Sequence, residues 1–133
     1  MLSIKEISSM FNLKTIKERI KSLDYAWKGL TYLFLKEDSF KFQLLFSFIF
    51  ILLGFYFNIT NAEWFAQLGV MALVLSIEGI NSAVEQLSDY IQPNYDEKIG
   101  KIKDIAAGAV MVAGIFAFVV LLILYIPYLL AII

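Results

Sequence analysis

The stretch Trp64–Tyr90, WFAQLGVMALVLSIEGINSAVEQLSDY, decides the reading of this chain. Its first half is almost wholly apolar and carries no charge, whereas its second half holds Glu78, Asn81, Ser82, Glu85 and Asp89. At about 100° per residue on a helix, and with Glu78 at zero, Asn81 falls near 300°, Ser82 near 40°, Glu85 near 340° and Asp89 near 20°. All five share an arc about 100° wide. Ile77, Ile80, Ala83, Val84 and Leu87 take the remaining circumference. This is a helix long enough to cross a bilayer, apolar on most of its surface and acidic along one line.

The rest of the chain supports a membrane setting. Sixty per cent of the 133 residues are hydrophobic, and the mean hydropathy is +0.75. A soluble domain has roughly 45–50% apolar residues. No charge interrupts Phe42–Phe57, and none occurs from Ile105 to the C-terminus, so spans are expected at 42–57, 64–90 and 105–126. The first is short for a hydrocarbon core of ~30 Å at ~1.5 Å per residue, so flanking residues must extend it. Asn58–Asn61 form a polar turn, Gln92–Gly100 a polar connection opened by Pro93, and Pro127 should end or kink the third span. Residues 1–36 carry an apolar stripe at Ile16, Ile20, Leu23, Trp27, Leu30 and Phe34, with Lys14, Lys17, Lys21 and Lys28 mostly off it. That pattern predicts a basic amphipathic helix lying in the membrane interface. The expected fold class is therefore an all-α membrane protein of three transmembrane helices and one surface helix, forming a single domain.

Net charge is −1, and eight of the eleven Lys and Arg residues precede residue 42, with Lys98, Lys101 and Lys103 completing the set. Nothing here suggests nucleic acid as a partner. Basic residues stay on the cytoplasmic side, which places the N-terminus and the second connection inside and the C-terminus outside. The first apolar run starts too late for a cleavable leader. Cysteine and histidine are absent, which removes disulfides, thiolate or imidazole metal sites and any Cys or His nucleophile or base.

A charged side chain near the bilayer centre costs at least ~2.5–3.5 kcal/mol, so two glutamates on one face need a cation or a chemical task. Asn81 and Ser82 alone would fit hydrogen-bonded helix packing; Glu78, Glu85 and Asp89 together do not. Glu37, with Lys41 four residues on, precedes the first span, and Lys103 and Asp104 precede the third. Three elements thus enter one leaflet with carboxylates, and two bring lysines. Carboxylates without His or Cys favour Mg²⁺ shared with phosphate oxygens. Metal, cation and a base beside a hydroxyl are the parts that phosphoryl transfer uses. No G-x-x-x-x-G-K-[ST] segment or Gly-rich kinase loop is present. In the third span Ala109, Ala113 and Ala117, with Gly108 and Gly114, predict close packing against the second span or a neighbouring subunit.

EGINSAVEQLSD (Glu78–Asp89) resembles the signature of the bacterial integral-membrane diacylglycerol kinase and undecaprenol kinase family. YAWKGL (Tyr25–Leu30), KEDSFK (Lys36–Lys41) and GKIKD (Gly100–Asp104) follow the family's order at compatible spacings, so the resemblance spans residues 17–125. It implies an ATP- and Mg²⁺-dependent lipid kinase in the bacterial cytoplasmic membrane. It also implies a homotrimer whose active sites are shared between subunits. On the same ground Glu78 matches the catalytic glutamate, the general base on the lipid hydroxyl, and Asn81 its companion at the substrate. Glu37 and Glu85 match the metal-binding glutamates that bridge to ATP. Tyr25, Asp89, Tyr95, Lys103 and Asp104 match positions around the nucleotide. Two departures stand out. Lys41 replaces a usual arginine, giving a point charge in place of a bidentate contact. Glu18, beside Arg19, occupies the place of an N-terminal arginine. NSAVE favours diacylglycerol as acceptor, with undecaprenol the alternative in the same family. A cation carrier with acidic residues along an ion path and a non-catalytic scaffold are the readings from other classes.

Overall fold

The computed structural model describes residues 13–132, so the first twelve residues of the expected surface helix lie outside the described part. Within it are four helices: α1 Leu13–Lys36, α2 Asp38–Phe57, α3 Asn61–Ile91 and α4 Glu97–Leu130. They fall into two units, one containing α1 and the other running from Glu37 onward. α1 covers the sequence stripe from Ile16 to Phe34, and Lys28 pairs with Asp24 at 2.6 Å on its surface.

In the second unit α2, α3 and α4 are each long and apolar enough to cross a membrane. α3 packs along α4 and, less extensively, along α2. Burial is inverted relative to a soluble protein. Gln67, Glu78, Asn81, Ser82 and Ser88 are buried, while Phe46, Phe55, Phe65, Leu73, Phe116 and Ile123 face outward. Hydrocarbon outside and polar groups inside is what a bilayer selects, because lipid solvates the apolar faces and not the carboxamides.

The helix ends follow from local chemistry. Asn58 adopts a left-handed conformation (φ 51°, ψ 49°) that stops α2, and Ile59 N–H bonds Gly54 O at 3.2 Å. Thr60 then opens α3 with a capping box: Glu63 N–H donates to its hydroxyl at 3.4 Å, and Thr60 N–H donates to the Glu63 carboxylate at 2.7 Å. Gly54 is required here, since a β-carbon would lie 2.7 Å from the Trp64 ring. Asp96 caps α4 by accepting from Lys98 N–H and Ile99 N–H at 2.9 and 3.0 Å. α4 therefore begins eight residues before the uncharged stretch, inside what reads in sequence as a polar connection. Pro127 does not end α4, which continues to Leu130. Proline forfeits one hydrogen bond to the preceding turn, a loss that the last turn of an apolar helix tolerates.

At the end remote from Glu78 the three spans are bound by an aromatic and polar cluster. Ile59, Leu124 and Tyr125 form its buried centre, with Phe50, Leu53, Phe57 and Trp64 packed around them. Gln67, fully buried, donates to Phe50 O at 3.0 Å, and the Tyr125 hydroxyl donates to Gln67 Oε1 at 2.6 Å. The Tyr128 hydroxyl donates to Glu63 at 2.8 Å. Of the small residues in α4, Ala113 is buried, but a β-carbon at Gly108 or Gly114 would meet nothing within 4 Å. The close helix approach expected at those glycines does not occur against the chain's own α3.

Candidate functional site

The helical period that aligned the polar residues of α3 does turn most of them inward. Glu78 is 4% exposed, Asn81 7% and Ser82 3%, and Glu85 is half-buried. Asp89 lies on the same arc but is exposed, although Lys103 of α4 reaches it and the adjacent Ser88 is buried.

Glu78 is held from α2. Gln43 Nε2 donates to Glu78 Oε2 at 2.7 Å, a short bond typical of a carboxylate acceptor. One turn along α3, Asn81 Nδ2 donates to Glu85 Oε1 at 3.0 Å, which fixes the second carboxylate. Gln86 Nε2 reaches back to Glu37 Oε1 at 3.0 Å, bringing the start of α2 beside the Glu85 turn. From α4, Lys103 Nζ pairs with Asp89 at 2.9 Å and lies within electrostatic reach of Glu85. Four separate pairs thus gather Glu37, Glu78, Asn81, Glu85, Asp89 and Lys103 along the C-terminal half of α3. The outlying residues are plain to place. Asp104 is exposed on α4, Tyr95 is 93% exposed in the connection, and Tyr25 belongs to the α1 unit, where Lys28 Nζ sits 5.5 Å from its ring centre. Lys41 pairs with Asp38 at 2.7 Å.

Two buried oxygens in these pairs have no hydrogen-bond partner among the described residues: Gln43 Oε1 and Asn81 Oδ1. Both carboxamides spend their N–H on a glutamate and leave an acceptor bare. A buried bare acceptor costs about 1–3 kcal/mol. With the carboxylates beside them, the unmet need of the site is for donors: hydroxyls, water or cations. No group of three or more Asp or Glu residues closes on a point that could hold a metal among the described residues. Two glutamates with no sulfur or imidazole nearby suit magnesium, which keeps several waters and shares phosphate oxygens instead of filling an all-protein cage.

Sequence reasoning missed Gln43 and Gln67. Gln67 lies eleven residues before Glu78, near 340° on the same wheel by the ~100° period, so it extends the polar line along α3. Gln43 is the one carboxamide in the uncharged stretch of α2, and a single polar residue has no period to reveal it.

Spans that converge on a buried carboxylate define a protein that works on something inside the bilayer, as transferases and carriers do. The comparisons decide between those classes. The family model for prokaryotic diacylglycerol kinase matches residues 24–125. The diacylglycerol kinase of Haemophilus influenzae is 30% identical over 104 residues, 78% of this chain and 88% of the relative. That of Escherichia coli K12 is 29% identical over 98 residues, covering 74% and 80%. The undecaprenol kinase of Bacillus subtilis is 27% identical over 107 residues, covering 80% and 87%. The chain belongs to the prokaryotic diacylglycerol kinase family, and is an enzyme of the lipid-kinase class.

Proposed function

We propose that this protein transfers the γ-phosphoryl group of ATP, with Mg²⁺, to the hydroxyl of diacylglycerol at the cytoplasmic face of a bacterial inner membrane, giving phosphatidic acid. The observation that carries the reading is the buried Glu78 carboxylate, oriented by Gln43 and flanked by carboxamide oxygens that lack donors. An acceptor hydroxyl answers that need.

In the proposed reaction Glu78 takes the hydroxyl proton as general base. The freed oxygen forms its bond to the γ-phosphorus, the bond to the bridging oxygen breaks, and ADP leaves. Asn81 holds the acceptor beside Glu78 and fixes Glu85 from its other end. Glu37 and Glu85 are the residues that would hold magnesium, which when bound offsets charge on the transferring group. Lys103 supplies a cation to the phosphates, with Asp89, Asp104, Tyr25 and Tyr95 around the nucleotide. The single-domain organisation, the interfacial placement of α1, the cytoplasmic N-terminus and a homotrimer with shared sites belong to the same proposal. They are supported by the family and by the distribution of lysines.

Undecaprenol is the second reading, favoured by the similarity to the Bacillus subtilis enzyme. The test is transfer of radiolabelled phosphate from ATP to each lipid, comparing wild type with Glu78→Gln. Loss of general-base assistance should lower the rate by ~10²–10⁴-fold while the protein stays folded. Equal labelling by both proteins would remove Glu78 from its role. Labelling of undecaprenol alone would move the acceptor to the second reading. Ion flux without ATP turnover would favour a carrier.

A further inference from the structure

Glu37 is the single non-helical residue between α1 and α2. It is the N-cap of α2, with extended backbone (φ −99°, ψ 107°) and no side-chain bond to its own helix. Thr60 and Asp96, which open α3 and α4, turn their side-chain oxygens back onto the helix they start. Two side chains are placed to hold the Glu37 carboxylate. Lys41, four residues on, is the ordinary ion-pair partner along a helix, but it pairs with Asp38 at 2.7 Å. Gln86, in α3, takes the carboxylate: its Nε2 donates to Glu37 Oε1 at 3.0 Å. Among the described residues Glu37 Oε2 accepts nothing.

The choice of partner has a chemical consequence. A lysine on Glu37 would hold the carboxylate and cancel its charge. A carboxamide N–H holds one oxygen and leaves the charge in place, because the donor is neutral. Glu85 is held in the same way, with Asn81 Nδ2 on its Oε1 at 3.0 Å. Gln86 follows Glu85 directly in α3, so its bond ties Glu37 to the turn that bears the second glutamate. That bond does little for stability, since Gln86 is exposed and water replaces either partner when it opens. What it changes is the direction of a half-buried carboxylate.

We infer that Gln86 is a positioning residue for magnesium, its side chain aiming Glu37 towards the Glu85 turn without neutralising it. The inference rests on the lipid-kinase reading, in which Glu37 and Glu85 hold the metal, and adds what orients the first of them. Carboxylates that bind metals are themselves held by hydrogen bonds, and losing such a partner typically costs ~10–100-fold in affinity. An exposed partner belongs at the lower end, about tenfold. The effect falls on metal-dependent nucleotide binding and spares the acceptor lipid, because Glu78 is held separately by Gln43.

The experiment uses the full-length enzyme in detergent micelles and a fluorescent β,γ-methylene analogue of ATP, which binds but cannot transfer its phosphate. Its Kd is measured with saturating Mg²⁺ and again in EDTA, for wild type, Gln86→Met, Gln86→Ala and Glu37→Gln. Both Gln86 variants should raise Kd about tenfold with Mg²⁺ and leave it unchanged in EDTA. In phosphate transfer, KM for Mg²⁺ should rise by a similar factor, with the lost rate returning as magnesium is raised and KM for diacylglycerol steady. Equal weakening with and without Mg²⁺ would overturn the inference, by making Gln86 a contact of the nucleotide or a part of the local fold. If Glu37→Gln weakens the magnesium titration while the Gln86 variants change neither, the inference falls and the metal reading of Glu37 stands. If Glu37→Gln also changes neither, that reading falls with it.

Discussion

Replacing Gln43 by methionine tests how Glu78 is made ready. The two side chains have similar length and volume, so the change leaves packing near α3 largely intact and deletes one donor. The bond removed is 2.7 Å long and ends on a carboxylate. Hydrogen bonds to charged groups contribute about 1.5–3 kcal/mol. If that bond serves to hold the Glu78 carboxylate towards the acceptor, its loss should appear in kcat. At 1.36 kcal/mol per decade the expected fall is about 10- to 100-fold. KM for ATP should stay near the wild-type value, because the residues proposed to hold the nucleotide and its magnesium, Glu37, Glu85 and Lys103, are held by other partners. Stability should change less than kcat suggests, because the variant also removes the bare Gln43 Oε1 and so relieves one buried unmet acceptor. Phosphate transfer measured with saturating lipid, together with denaturation by a graded anionic detergent, separates the two effects. A Gln43→Met enzyme with unchanged kcat would show that the Gln43–Glu78 bond is helix packing alone and that Glu78 needs no help from α2.

Two further substitutions probe the scaffold. Tyr125→Phe leaves the fully buried Gln67 Oε1 without its donor and should cost about 1–3 kcal/mol of detergent-unfolding stability, whereas Tyr125→Phe with Gln67→Leu should cost less than the two singles together; strict additivity would show that the pair does not interact. Gly54→Ala drives a β-carbon to 2.7 Å from the Trp64 ring and should destabilise by about 1 kcal/mol after the gain in helix propensity, with Trp64→Leu relieving it; a Gly54→Ala protein as stable as wild type would mean that the ring moves freely.

What could be read in the sequence was what repeats. The three spans follow from uncharged runs that a bilayer demands, and the inward line of Glu78, Asn81, Ser82 and Glu85 follows from the 3.6-residue period, which the structure reproduces as burial. Asp89 shares the period but not the burial, because period fixes a direction around a helix and says nothing of how closely its neighbours cover each turn. The ends were hidden for a related reason. A helix emerging from a membrane acquires charges without ceasing to be a helix, so α4 begins at Glu97 under the Asp96 cap although its uncharged part starts at Ile105. The deeper omission was the partners of the carboxylates. Gln43 and Gln67 are single carboxamides in apolar runs, and their importance lies in tertiary pairing, with Glu78 on α3 and with Tyr125 on α4 respectively. Local pattern contains no information about such pairs. Yet the physics narrows them: a glutamate placed where its charge costs several kcal/mol must find a donor on a facing helix, and α2 between Phe42 and Phe57 has only three side chains with polar hydrogens to offer, Gln43, Ser47 and Tyr56. Glu78 lies towards the Glu37 end of the bundle, which excludes Tyr56 at the opposite end, and Ser47 spends its hydroxyl on Gln43 O. The donor that remains is the one the structure uses.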